Sequence, residues 1–162
     1  MTPSRGNTDA VRGFIIPIGG AVSKRKNPII LEKFVKLCGG DKAVITVIPT
    51  ATKLEENGEI FTNLFTEMGA SDVFSIDIKT RSDCSNENYL SKLMKSTGVF
   101  ISGGNQLRLS TILGGTPVAK AIRRLNADGV HIAGTSAGAA IMPEHMISGG
   151  RSGGTPTPKV YH

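Results

Sequence analysis

One serine stands in a setting suited to nucleophilic chemistry. It lies within Val130-His131-Ile132-Ala133-Gly134-Thr135-Ser136-Ala137-Gly138-Ala139-Ala140-Ile141-Met142. An apolar run enters G-x-S-x-G and a second apolar run leaves it, the pattern of strand, sharp turn and helix start called a nucleophile elbow. A serine held in so tight a turn needs neighbours without bulk, and Gly134 and Gly138 let strand and helix approach closely. The Ser136 hydroxyl then projects from the carboxyl end of a sheet. The backbone N–H of Ala137, at the new helix N-terminus, points to where an oxyanion would form. A glycine-rich turn with an incidental serine fits the same five residues; the strand before and the helix after favour the elbow.

Three other loops share this character: Gly19-Gly20, Pro49-Thr50-Ala51-Thr52 and Gly103-Gly104-Asn105-Gln106. In an open α/β sheet, sites form outside the carboxyl ends of the strands, which is where these loops and the elbow are expected. The Gly103-Gly104 pair lets backbone come close to a bound carbonyl and offers a second oxyanion N–H. Asn105 and Gln106 carry side-chain amides for a substrate carboxylate or peptide group. Asn105 also fits an ordinary helix N-cap, which explains one residue but not the double glycine.

Without a base, a serine hydroxyl is a weak nucleophile at neutral pH. His131 lies in the strand leading to the elbow and reads as a packed residue. His145 comes just past the elbow helix and reads as pointing away from the hydroxyl. His162 reaches the site only if the last loop folds back. Glu144 reads as a solvated residue. Cys38 and Cys84 lie far apart with no C-x-x-C pair, so no disulfide framework and no zinc site is expected, and no metal or cofactor is called for.

The elements that must position these residues follow from periodicity. Apolar runs at 13–18, 43–48, 72–76, 98–102 and 130–133 read as strands, the first as a buried strand with Pro17 awkward inside it. Helical patterns lie between them. One starts at Asn27 as N-cap with Pro28 in the first turn, and turns Ile30, Phe34 and Leu37 inward. The next, 56–68, places Ile60, Leu64, Phe65 and Met68 inward. A third, 88–95, uses Leu90, Leu93 and Met94. Two more begin near Leu107 and at Pro117. Strands alternating with helices predict an α/β fold with a mostly parallel sheet flanked by helices.

The length of 162 residues suits one domain. Residues 1–12 are polar and are expected to be a flexible lead-in to a single α/β domain over 13–162. The net charge is +6 with aromatics at only 5%. That scarcity argues against stacking platforms for single-stranded nucleic acid, and the Lys24-Arg25-Lys26 and Arg123-Arg124 clusters read as solvated faces. No apolar run is long enough for a membrane span and no signal-peptide pattern occurs. A reducing, cytoplasmic setting is expected. The segment 148–158 is a glycine, serine and proline loop, and an α/β sheet is expected to continue beyond it.

Taken jointly, Pro17-Ile18-Gly19-Gly20-Ala21, Ile48-Pro49-Thr50-Ala51-Thr52, Ser102-Gly103-Gly104-Asn105-Gln106 and Gly134-Thr135-Ser136-Ala137-Gly138-Ala139-Ala140 resemble the cyanophycinases. These are grouped with the aspartyl dipeptidases of the peptidase E type, and the similarity runs over about residues 13–154. The resemblance implies a class I glutamine amidotransferase-like, flavodoxin-like three-layer fold. It also implies serine exopeptidase chemistry on cyanophycin, an aspartate backbone with arginine on each β-carboxyl, releasing β-Asp-Arg dipeptides. By position, Ser136 is the nucleophile, the amides of Gly104 and Ala137 form the oxyanion hole, and Gln106 contacts substrate, with Gly103 and Asn105 beside it. The family implies a cytoplasmic homodimer.

The general-base histidine of the family lies in an Asp-Gln-His-Phe segment after the glycine-rich loop, and no such segment occurs in this sequence. A charge-relay glutamate in some relatives falls at Gly154. The chain thus resembles the front part of a cyanophycinase, expected to be incomplete at its C-terminal end or to pair with a missing C-terminal part. Two alternatives stand beside this reading. One is a peptidase E-like dipeptidase cutting α-aspartyl bonds; the other is a truncated, non-catalytic relative.

Overall fold

The computed structural model describes residues 11–19, 28–52, 56–147 and 160–161. Strands and helices alternate: β1 (Ile15–Ile18), α1 (Ile29–Leu37), β2 (Val44–Ile48), α2 (Glu56–Glu67), β3 (Asp72–Ser75), α3 (Glu87–Met94), β4 (Gly98–Ile101), α4 (Gln106–Leu113), α5 (Pro117–Ala127), β5 (His131–Thr135) and α6 (Ala137–Ala140). A two-residue strand, β6 (Met146–Ile147), then pairs antiparallel with β7 (Val160–Tyr161).

The main sheet has five parallel strands in the order β1-β5-β4-β2-β3. The chain leaves β2 toward β3 on one side and resumes at β4 on the other. A crevice therefore opens between the carboxyl ends of β2 and β4, the place where such sheets bind ligands. The loops at those two ends are 49–52 and 102–105, with the elbow one strand further on.

Successive residues of a strand face opposite sides, so each strand serves two cores. Phe100 faces α1 and α2 and packs with Phe34, Phe61 and Phe65, its ring centre 4.6 Å from that of Phe61 and 5.1 Å from that of Phe65. Val99 and Ile101 face the other way, with Ile48, Ile76 and Ile132, under Leu93 of α3, Leu109 of α4 and Ile122 of α5. Thr46 also faces a buried setting, and its hydroxyl is satisfied by Ser96 Oγ at 2.6 Å. Helix starts are capped where the sequence offers a cap: Asn86 Oδ1 accepts from Asn88 and Tyr89, and Thr116 Oγ1 accepts from Ala119.

Several expectations shift. α1 begins at Ile29 with Pro28 in the cap position, and Asn27 lies outside the described residues. Its buried face is Leu31, Phe34 and Val35, while Ile30 is 54% exposed. Both faces share Phe34, and an apolar stretch of Ile29-Ile30-Leu31 leaves the helical phase open until a partner surface is present. In α2, Phe61 replaces the exposed Ile60 beside Phe65. In α3, Leu93 is buried but Met94 is exposed.

β1 is not fully buried, because it is the outermost strand of the described sheet and leaves Ile15 56% exposed. Pro17 is tolerated there for the same reason. The Phe14 and Ile18 carbonyls accept from Ile132 and Ser136 of the β5 side, so alternation turns the Pro17 nitrogen outward, where no ladder bond is needed.

The phase of α1 is testable by urea unfolding. Leu31→Ala is expected to cost about 2–5 kcal/mol, whereas Ile30→Ala stays within about 0.5 kcal/mol; the reverse ranking would restore the phase expected from periodicity.

Candidate active site

Ser136 has φ 51 and ψ −111 and is the sole non-glycine residue with positive φ among those described. Such a backbone costs on the order of 1–3 kcal/mol and persists only where its surroundings over-determine it. Here they do. The Ser136 N–H donates to the Ile18 carbonyl of β1 at 3.0 Å, and its own carbonyl accepts from Ala140 at 2.9 Å. The side chain is exposed, although Thr135, Ala137 and Gly138 around it are buried.

The glycines of the elbow are demanded by contact rather than by dihedral freedom. A Cβ on Gly138 would collide with the Ile101 carbonyl at the end of β4, and one on Gly134 would lie 2.7 Å from the Gly138 carbonyl oxygen. The first turn of α6 is thus pressed directly onto the sheet.

The loop after β4 closes on the serine. A Cβ on Gly103 would come 3.2 Å from the Ser136 Cβ. Gly104 has φ 148, and a Cβ there would collide with the Ala51 carbonyl, so glycine is required twice over. That same carbonyl accepts from the Asn105 N–H at 2.8 Å, which fixes the 102–105 loop against the 49–52 loop. Asn105 Oδ1 accepts from the Arg108 N–H at 2.9 Å, so the cap reading of Asn105 is realised and its amide NH₂ is the part left for other contacts. Gln106 opens α4 and is half-buried. The N–H groups of Gly104 and Ala137 have no acceptor among the described residues.

Arg108 carries a role that sequence reading missed. Its Nε donates to the Thr50 carbonyl at 2.9 Å, and its Nη2 lies 3.5 Å from the Lys79 carbonyl, so it ties together the loops after β2 and β3. Its place three residues after the cap Asn105 was the available signal; apolar spacing alone made α4 a packing helix. The Thr50 hydroxyl is buried with no hydrogen-bond partner among the described residues. Ser102 Oγ accepts from the Asn57 side chain at 3.3 Å.

His131 sits at the amino end of β5. Its Nδ1 accepts from the Phe14 N–H at 2.9 Å and its ring stacks on Phe14. A strand rise of about 3.3 Å per residue puts it roughly 16 Å from Ser136, so it is the packed residue expected and not a base. His145 is exposed in the turn after α6. Gly20, Gly154 and His162 lie outside the described residues.

Neither cysteine competes as a nucleophile. Both are buried; burial pushes the Cys38 thiol up to about 12 and raises that of Cys84 as well. Among the described residues, no group of three or more His, Cys, Asp or Glu side chains is placed to hold a metal ion. No helix among them is long and apolar enough to cross a membrane.

A strained, exposed serine at a strand-to-helix turn of a parallel sheet, next to two amides with no acceptor among the described residues, has the strand–turn–helix geometry of the α/β class. Within that class, the chain belongs to peptidase family S51, which it matches over residues 14–159. It is 39% identical to a cyanophycinase of Geminocystis herdmanii over 148 residues, 90% of this chain and 54% of that protein. To a cyanophycinase of Trichormus variabilis it is 42% identical over 149 residues, 91% of this chain and 50% of that one. The chain spans about half the length of these curated relatives. In fold it is similar to the crystal structure of a peptidase from an acI-B1 Actinobacterium, with a TM-score of 0.68 at 23% identity over 83% of this chain and 58% of that one.

The elbow packing is open to test. Gly138→Ala forces a methyl group against the rigid Ile101 carbonyl and is expected to destabilise by about 1–3 kcal/mol, read by thermal unfolding. An unchanged melting temperature would mean that α6 does not press on β4 as described.

Proposed function

We propose that this chain bears the nucleophile of a cyanophycinase-like serine exopeptidase that hydrolyses cyanophycin to β-Asp-Arg dipeptides. The observation that carries the reading is the exposed Ser136 at φ 51 beside the N–H groups of Gly104 and Ala137, which have no acceptor among the described residues. The identity of about 40% to curated cyanophycinases supports the choice of substrate.

In this reading Ser136 Oγ attacks the carbonyl carbon of the scissile aspartyl peptide bond. Its proton passes to a general base, and the carbonyl oxygen becomes an oxyanion. The Gly104 and Ala137 amides donate to that oxyanion; such preset donors act where charge develops, and loss of one typically costs about 10²–10³ in rate. The tetrahedral species expels the leaving amine, which takes a proton back, and leaves an ester on Ser136. Water then hydrolyses the ester. Asn105 NH₂ and Gln106 border the same crevice and hold the substrate's carboxylate and peptide groups, while Gly103 keeps the approach free of side chains.

His131 is too remote to be the base. The resemblance assigns that role to a histidine in an Asp-Gln-His-Phe segment that this sequence lacks, so a complementary part would supply it. A cytoplasmic homodimer, or a pairing with such a complementary part, belongs to the same proposal.

The test is to incubate the protein with insoluble cyanophycin and, separately, with α-aspartyl dipeptides, beside Ser136→Ala. Release of β-Asp-Arg when the complementary part that carries the base is supplied, falling at least about 10³-fold in Ser136→Ala, is the expected result. Cleavage of α-aspartyl dipeptides alone would favour the peptidase E reading. No cleavage of either by the folded protein with that part present would contradict the assignment of Ser136 as the nucleophile.

A further inference from the structure

A cleft of about 930 Å³ opens at the carboxyl ends of β2 and β3, and none of the elbow residues lines it. Its walls include Pro49 and Thr52 from the loop after β2, Glu59 from α2, Asp77 and Lys79 from the loop after β3, and Arg108 from α4. We infer that this cleft is a distal subsite that holds further repeat units of a zwitterionic polymer while Ser136 acts on its end. The inference rests on the cyanophycin reading above.

The first argument is position. The 49–52 loop is a shared wall. On one side the Ala51 carbonyl meets Gly104 and accepts from the Asn105 N–H, next to Ser136; on the other, Pro49 and Thr52 face the cleft. A chain bound at Ser136 need only cross this ridge to enter the cleft.

The second argument is charge. Arg108 and Lys79 supply cations, and Glu59 and Asp77 supply carboxylates, with Lys79 Nζ and Asp77 Oδ2 3.1 Å apart. A cyanophycin repeat presents one guanidinium and one carboxylate, so it meets a partner for each. Among the described residues no aromatic side chain lines the cleft, which argues against a flat apolar ligand.

The third argument is preorganisation. Arg108 is fixed on the Thr50 carbonyl. The Asp83 carboxylate accepts from the N–H groups of Lys79 at 2.9 Å and Thr80 at 2.7 Å, which holds its pKa below the usual carboxylate value and pins the loop that carries Lys79. Walls already held in place lose little conformational freedom on binding. A wide cleft of mixed charge beside the nucleophile serves a polymer whose bound part is longer than the unit released.

The test uses calorimetric binding of defined β-Asp-Arg oligomers of increasing length to the Ser136→Ala protein, with and without Glu59→Lys. Glu59 is exposed, so that change leaves folding intact, checked by its urea midpoint. Affinity is expected to rise with oligomer length. Glu59→Lys is expected to weaken the long oligomers by about 10-fold and the shortest by less than about 2-fold. Binding independent of length, or weakened equally at all lengths by Glu59→Lys, overturns the distal subsite and leaves the substrate reading standing. No binding at any length overturns both.

Discussion

The Ser136 backbone is held against its own conformational preference, and much of the fold's detail serves to hold it. Its N–H is taken by the β1 carbonyl of Ile18, its carbonyl by Ala140, and the turn that follows is pressed on the β4 carbonyl of Ile101. Three adjacent strands therefore meet at one residue. A strain of about 1–3 kcal/mol is small beside the burial that stacks these strands between two cores, so the sheet can impose it. What the strain achieves is exposure: a buried turn whose one protruding group is a hydroxyl.

The same economy of contact builds the opposite wall. Gly103 lies against Ser136, and Gly104 lies against Ala51. The strand order brings β4 between β5 and β2, so the loop after β4 touches both the elbow and the 49–52 loop. Arg108 extends the connection to the loop after β3. Ser136, the Gly104 and Ala137 amides and the charged cleft thus lie along one edge of the sheet, ordered as the strands are ordered.

Much of this was legible in the sequence because it rests on short-range rules. The strands appear as β-branched runs, one cap as Asn105 before a helical pattern, and the elbow as glycines around one serine. Pro17 hinted at a weakly paired strand, and β1 proved to be outermost. The losses have a common cause. Ile30 against Leu31, and Ile60 against Phe61, are choices of helical phase that only the opposing sheet decides. Arg108 acts through two carbonyls distant in sequence, which no local pattern announces. The cleft joins loops after different strands to α2, and its mixed charge is visible only once they meet. The roles proposed for Gly104 and Ala137 follow from the family resemblance and the double glycine; that their N–H groups lack acceptors among the described residues is visible only in the fold.

The central claim is that Ser136 and the amides of Gly104 and Ala137 form one reacting site. A crystal structure with an aspartyl boronic acid tests it most directly. The predicted result is a covalent bond from Ser136 Oγ to boron, with one boronate oxygen about 2.7–3.1 Å from both amide nitrogens. A boronate bound elsewhere, or attached to Ser136 with its oxygen turned away from both amides, would contradict the account.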